Sequence, residues 1–127
     1  MPSNREYFLK SFARVQETEG SYRPTKYAVT RWFNILNECL FRSYLPPFRD
    51  IRIKRMARAW GECEGHDDGS SSVSLNSWFP KKSEFIETLG HEMVHHYQWV
   101  KGFQMNHQDS FHAWRPKFKR FNMNLTR

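Results

Sequence analysis

Two histidines and a glutamate at close spacing are the residues in this sequence best suited to chemistry. His91 and His95 are four residues apart, and Glu92 lies between them in the pattern H-E-x-x-H. On a helix, residues four apart share one face, so both imidazoles can bind one metal ion. Zinc prefers imidazole nitrogen in tetrahedral geometry. Glu92 would stand beside the metal and, as a general base, take the proton of a water attacking a carbonyl.

A catalytic zinc site has three protein ligands and one open position, so a third ligand must come from elsewhere in the chain. His107 and His112 are the downstream candidates, and His66 and His96 are weaker ones. The side chain of His96 points about 100° away from that of His95 around the helix axis, and His66 lies in a polar turn. His107 precedes the last predicted helix and can fold back over the metal. We therefore favour His107 and keep His112 as the alternative.

Helical spacing around the motif predicts the element that positions it. Ser83 is a suitable N-cap, the acidic Glu84 and Glu87 stand near the positive end of the helix, and Gly102 follows its C-terminus. The predicted buried face consists of Phe85, Ile86, Leu89, Met93 and Val94. The motif therefore lies on an amphipathic helix, as a shared metal requires.

A closing helix is predicted after a loop that runs to about Gln108. Asp109 can cap this helix, and Pro116 falls inside its pattern and should kink or split it. The apolar residues that recur at helical intervals are Phe111, Trp114, Phe118 and Phe121.

The first half of the chain predicts two helices followed by a small sheet. Ser3 can cap a helix that runs to about Glu17, and Pro24 suits the first turn of a second helix that ends before Pro46. Strand patterns follow in residues 49–54, 56–63 and 73–79. We predict an α+β fold with N-terminal helices, a short three-stranded sheet, the active-site helix and a closing helix.

Length and charge set the broad class of the protein. The 127 residues suit one domain, with a helical part (1–47), a small sheet (48–80) and the active-site and closing helices (81–127). The net charge of +7 and pI of about 9.7 attract polyanions such as nucleic acid, although ordinary solubility accounts for the charge equally well.

The cysteines and the absence of long apolar runs indicate where in the cell the protein is expected. Cys39 and Cys63 form no C-x-x-C pair, which excludes a zinc ribbon and predicts two reduced thiols. Residues 1–19 lack the apolar core of a signal peptide, and no run is long enough to span a membrane. We expect a cytoplasmic monomer; association with the nucleoid and a phage origin are both compatible with this.

The motif and its surroundings resemble the SprT-like (Spartan-like) family of zinc metalloproteases over residues 56–121. The segment E-T-L-G-H-E-M-V-H-H-Y, from Glu87 to Tyr97, is similar to the active-site helix of the family. The segment H-Q-D-S-F, from His107 to Phe111, stands where the family has H-G-x-x-F, with Gln108 in place of the usual glycine. The segments A-W-G-E-C (59–63) and S-L-N (74–76) are similar to two strands of the family.

The resemblance implies a minimal zincin-like fold, one zinc ion and hydrolysis of peptide bonds in protein substrates. The family's zinc ligands correspond to His91, His95 and His107, and its general base corresponds to Glu92. In zincins the substrate lies along an edge strand, and we expect residues 73–78 to serve as that strand. The oxyanion stabiliser stays open among Tyr22, Tyr97 and a nearby arginine.

Family members act on proteins attached to DNA, so DNA is an expected partner here. The candidate contacts to phosphate are Arg52, Lys54, Arg55, Arg58, Lys117, Lys119 and Arg120. A first rival hypothesis is a non-enzymatic module that binds nucleic acid or a partner, with a structural zinc closed by His112 or Cys63 as a fourth ligand. A second is a zinc-dependent ribonuclease.

Overall fold

The structure is a computed structural model that describes residues 3–126, and its architecture is α+β, as predicted. Two N-terminal helices precede a three-stranded sheet, a long helix carries the H-E-x-x-H motif, and two short helices follow. The elements are α1 (Asn4–Glu17), α2 (Lys26–Leu40), β1 (Ile51–Lys54), β2 (Gly61–Gly65), β3 (Ser71–Asn76), α3 (Lys82–Val100), α4 (Asp109–His112) and α5 (Arg115–Arg120).

Local hydrogen bonds set where the first two helices begin. The Ser3 hydroxyl accepts from the Glu6 N–H at 3.2 Å, which confirms Ser3 as the cap of α1. At α2 the cap is Thr25, whose hydroxyl accepts from the Ala28 N–H at 3.1 Å. The prediction that Pro24 lies in the first turn of α2 is therefore wrong, because the helix begins two residues later.

The N-terminus of α3 also differs from the prediction. The helix begins at Lys82 after an extended Lys81, which makes no side-chain capping bond. Ser83 is buried inside the first turn and is not the cap. The predicted buried face is confirmed, since Phe85, Leu89 and Met93 are each 0% exposed. Gly102 follows the end of α3 with a φ of +83°, a conformation that glycine adopts without a steric penalty.

The sheet has the order β1-β3-β2, with β1 parallel and β2 antiparallel to β3. Val73 lies opposite Ile51 on one side and Cys63 on the other. The expectation that residues 73–78 form a substrate-binding edge strand is therefore wrong. Both hydrogen-bonding edges of β3 are already used within the sheet, and the strand is almost entirely buried.

The second predicted strand begins later than expected. Residues 56–60 form a loop that Asn76 holds, because its side-chain amide donates to the carbonyl oxygens of Met56 (2.8 Å) and Ala59 (3.1 Å). Only from Gly61 onward does the chain pair with β3. The loop brings Trp60 to the start of β2.

A single hydrophobic cluster draws on all parts of the chain between Phe8 and Leu125. Its aromatic residues include the stacked Phe8 and Phe12 on α1, whose ring centroids are 5.5 Å apart. Pro116 is the second residue of α5, so the predicted closing helix is split into α4 and α5, as the proline suggested. Within residues 3–126 no helix has both the length and the apolarity needed to cross a membrane.

Both cysteines are unpaired thiols, as predicted. The thiol of Cys39 contacts the Asn4 carbonyl oxygen at 3.6 Å, and that of Cys63 contacts the Ser71 hydroxyl at 3.5 Å. Burial raises the pKa of Cys39 to about 11 and that of Cys63 to about 12. Neither side chain is therefore a thiolate at neutral pH.

Candidate metal centre

Three imidazoles converge at one point of the molecule. His91 and His95 project from neighbouring turns of α3, and His107 reaches them from the loop between α3 and α4. The three Nε2 atoms form a triangle in which each side measures 3.2 Å. Within residues 3–126 this is the only group of three or more His, Cys, Asp or Glu residues close enough to hold a metal ion.

Gln98 ties the loop that carries His107 to the helix. Its buried side chain receives a hydrogen bond from Nδ1 of His95 (2.8 Å) and another from the Asn106 N–H (3.2 Å) at Oε1. Its Nε2 donates to the Asn106 carbonyl oxygen (3.0 Å) and to the Ser110 hydroxyl (2.9 Å). Gln98 was not identified from the sequence. Its position three residues after His95 places the two side chains on one face of the helix, so it could have been predicted as a partner of that histidine.

The network around Gln98 also sets the tautomer of His95. Because Oε1 of Gln98 can only accept, Nδ1 of His95 carries the hydrogen and Nε2 keeps its lone pair for a metal. Burial lowers the pKa of His95, the hydrogen bond to Gln98 raises it, and the charge on His107 lowers it further. The neutral imidazole, which is the form that binds metals, is therefore favoured.

Phe111 forms the floor of the three-histidine group. Its buried ring lies 4.9 Å from that of His91, 5.2 Å from that of His95 and 4.8 Å from that of His107, measured between ring centroids. Because Phe111 occupies the face of α4 that meets the histidines, the next residue, His112, is turned away from them. The structure thus brings His107, and not the alternative His112, to the pair on α3.

The other two histidines have structural roles. His96 is fully buried, with Nε2 donating to the Pro46 carbonyl oxygen at 2.7 Å and Nδ1 accepting from the Ser71 hydroxyl at 2.6 Å. His66 lies in the turn after β2, where its Nε2 contacts the Ser72 hydroxyl at 2.7 Å. Neither residue joins the metal centre, and neither does Cys63.

Glu92 places a carboxylate beside the histidines and away from water. Its side chain is 7% exposed, and its Oε2 lies 4.0 Å from Nε2 of His91. Burial raises the pKa of Glu92 to about 8, with a smaller contribution from the charge on Glu62. A carboxylate in such a position binds a proton more readily than one in water.

The start of β2 packs directly over this carboxylate. A Cβ atom added at Gly61 would lie 3.1 Å from Oε2 of Glu92 and 2.8 Å from the Thr88 methyl group. Only glycine permits this close approach without a displacement of Thr88 or Glu92. A cavity of about 340 Å³ begins here and opens onto His91 and Glu92.

Neither tyrosine proposed as an oxyanion stabiliser lines this cavity. Tyr22 packs against Phe85 with ring centroids 5.2 Å apart, and Tyr97 packs against Trp114 at 4.9 Å. Both rings therefore serve packing in this structure.

A long helix with two histidines and a buried glutamate, completed by a third histidine from the following loop, is an arrangement typical of metallopeptidase-like domains. Comparison of this sequence with models of known protein families agrees with this class. The sequence model of the SprT-like family matches residues 29–127, and the chain belongs to the SprT-like family. Membership indicates a metalloprotease-type domain. A comparison with curated proteins found no match.

Proposed function

We propose that this protein is a zinc-dependent endopeptidase in which His91, His95 and His107 hold one zinc ion. The observation that carries the proposal is the triangle of Nε2 atoms with 3.2 Å sides beside the buried Glu92. Tetrahedral coordination with Zn–N bonds of 2.0–2.1 Å separates neighbouring nitrogens by about 3.3 Å. The donor set and its spacing therefore suit zinc.

The roles of the side chains follow from their positions. When bound, zinc supplies Lewis acidity, which polarises a carbonyl and makes water a stronger acid. Glu92 takes the proton from the attacking water at its carboxylate and then delivers it to the nitrogen of the leaving amine. Burial raises the pKa of Glu92, so its carboxylate is a stronger base towards the attacking water than a solvated glutamate is.

We propose the free edge of β2 as the strand along which an extended peptide binds. Among the described residues, β2 pairs with β3 on one side only. Its first residue, Gly61, lies against Glu92, so a peptide that added to this edge would pass the metal centre. This position replaces the earlier expectation for residues 73–78.

Removal and restoration of the metal test the proposed function. We expect the protein to cleave an unfolded protein such as denatured casein, to lose this activity after chelation, and to regain it with one equivalent of Zn²⁺ but not Mg²⁺. RNA serves as the parallel substrate. Hydrolysis that survives chelation, or cleavage of RNA without cleavage of peptide, would contradict the proposal. A zinc-containing protein that cleaves neither would favour the non-enzymatic module.

We further propose that DNA binds beside the loop before β2. Arg52, Lys54, Arg55 and Arg58 are exposed there. Arg55 lines a depression together with Arg23 and Trp78, and Trp78 is 40% exposed. Exposed aromatic rings next to cations suit the stacking of single-stranded bases. The cations of α5 are less suited, since Lys117 is half-buried and its pKa is lowered by burial, Arg42 and Arg120.

For a labelled single-stranded oligonucleotide we expect binding at low salt that weakens as salt rises. Trp78→Ala should weaken it about tenfold, and Arg55→Ala should reduce the salt slope by about one. Lys10→Ala, an exposed change on α1, is the matched control and should leave binding unaltered. Fluorescence anisotropy measures all of these, and undetectable binding at low salt would mean that DNA is not a partner.

A further inference from the structure

The cavity that opens onto His91 and Glu92 is a separate compartment of the site with its own chemistry. It lies between the first turns of α3, the start of β2 and the C-terminal segment at Asn124 and Thr126. Its remaining lining residues are Trp60, Gly61, Phe79, Pro80, Glu84, Glu87 and Thr88. Because it shares two residues with the metal centre, a chain held at the metal would have a neighbouring side chain at the mouth of this cavity.

Aromatic rings form one wall of the cavity. The rings of Trp60 and Phe79 have centroids 5.4 Å apart and an interplanar angle of 30°. Phe79 is fully buried, whereas Trp60 is 47% exposed and so can cover a side chain that enters. Such a wall suits an aliphatic stem, and the ring faces attract a cation.

Acidic side chains of α3 form another part of the lining. Glu84, Glu87 and His91 recur at intervals of three and four residues, which places them on one face of α3. At 1.5 Å per residue, Glu87 lies about 6 Å and Glu84 about 10 Å from His91 along the helix axis. These distances are within reach of a long side chain on a residue next to the scissile bond.

The charge of this cavity is opposite to that of the protein. Its lining contains three glutamates and no lysine or arginine, in a chain of net charge +7. The nearest lysines are engaged elsewhere, since Lys82 lies over the ring of Tyr22 (5.3 Å) and Lys81 donates to the Gln16 carbonyl oxygen (3.5 Å). Glu84 lies in the first turn of α3, where the positive end of the helix favours an acidic residue. This preference does not account for the presence of Glu87 in the same cavity.

Glu87 is held in position for recognition. Its Oε2 accepts from the Asn124 N–H at 2.7 Å, and within residues 3–126 its other oxygen makes no hydrogen bond and can meet a ligand. Glu87 is half-buried, and this partial withdrawal from water raises the pKa of its carboxyl group. A cation that paired with a partly desolvated, anchored carboxylate would be bound more strongly than one at a solvated glutamate.

We propose that this cavity is a specificity subsite that selects a lysine or arginine side chain next to the scissile bond, with Glu84 and Glu87 binding the cation and Trp60 covering the stem. The inference rests on the proposed peptidase function. It makes Glu84 and Glu87 binding residues, whereas Glu92 remains the residue that transfers protons.

The test compares peptides that differ at one position beside the cleaved bond. Mass spectrometry of cleaved denatured casein first locates that position, where we expect lysine and arginine to be enriched. Two peptides are then made with lysine or methionine there, since methionine is similar in length but uncharged. In the double variant Glu84→Gln/Glu87→Gln, kcat/KM for the lysine peptide should fall about tenfold, and that for the methionine peptide should stay within about twofold.

The control variant is Glu38→Gln, which removes an exposed carboxylate from α2 outside the cavity and should preserve the preference for lysine. Equal metal content and equal methionine-peptide activity show that the double variant is folded. Cleavage without a preference for basic residues, or a preference that survives in the double variant, would overturn the subsite and leave the peptidase intact. Absence of any peptide hydrolysis by the zinc-loaded protein would overturn the proposed function and the subsite together.

Discussion

Glu92→Gln is expected to reduce kcat/KM for peptide hydrolysis by about 10²–10⁴-fold while the protein still binds one zinc ion. Glutamine has the size and hydrogen-bonding oxygen of glutamate but cannot accept the proton of the attacking water. The proposed metal ligands are His91, His95 and His107, and Glu92 is not among them, so metal binding should persist. Because the carboxylate is buried and its pKa is raised, the neutral amide should not destabilise the metal-free protein.

Three measurements on the same preparation check this result: kcat/KM on a peptide, zinc per chain by mass spectrometry, and the Tm after chelation. Glu38→Gln is again the matched control, as it removes an exposed carboxylate on α2 that belongs neither to the three-histidine group nor to the cavity beside it. Normal turnover in Glu92→Gln would show that Glu92 is not the base. Loss of zinc in this variant would instead indicate that Glu92 supports the metal directly.

His107→Ala should lose zinc under conditions in which His112→Ala keeps one ion per chain. Removal of His107 leaves two of the three Nε2 atoms, and two imidazoles hold zinc far more weakly than three. Because bound zinc adds folding free energy, the Tm of zinc-treated His107→Ala should also fall towards that of the chelated wild type. His112 has a buried Nδ1 that makes no hydrogen bond among the described residues, so its removal should have little effect on zinc content.

Gln98→Ala extends this comparison, because Gln98 orients one ligand and holds the loop of another. We expect zinc affinity to weaken about 10–100-fold, between the values for His112→Ala and His107→Ala. Competition with a chromogenic chelator gives the affinities, and zinc per chain gives the stoichiometry. Full retention of zinc in His107→Ala, or its loss only in His112→Ala, would show that the third ligand has been misassigned.

Local spacing in the chain accounts for the part of the site that lies on one helix. His91 and His95 share a face of α3 wherever that helix packs, because a separation of four residues is close to one helical turn. The buried positions Leu89 and Met93 follow from the same period. Gly102, whose positive φ lets the chain turn away after α3, likewise lies within one turn of the helix end. Interactions that span three or four residues are visible in a sequence because the interacting partners are near neighbours in it.

Helix starts were predicted less well, since short polar residues compete for the same position. Pro24 lies before α2 and not in its first turn, because Thr25 caps the helix with a hydroxyl that accepts the Ala28 N–H. Ser83 is not the cap of α3 because it is the second residue of the helix, where its side chain is buried. Burial depends on the rest of the fold, and that information is absent from the local pattern.

Tertiary structure decided every feature that joins distant segments. The strand β3 is central and not an edge because β1 and β2 pair on either side of it, and alternation along a strand does not reveal its neighbours. The path of the loop after α3 decides that His107, and not His112, reaches the two histidines on α3. Gln98 holds this loop through hydrogen bonds to Asn106 and Ser110. The acid-lined cavity depends on contacts between residues as far apart as Trp60 and Thr126. Periodicity reports which face of an element is buried, whereas packing alone determines what that face meets.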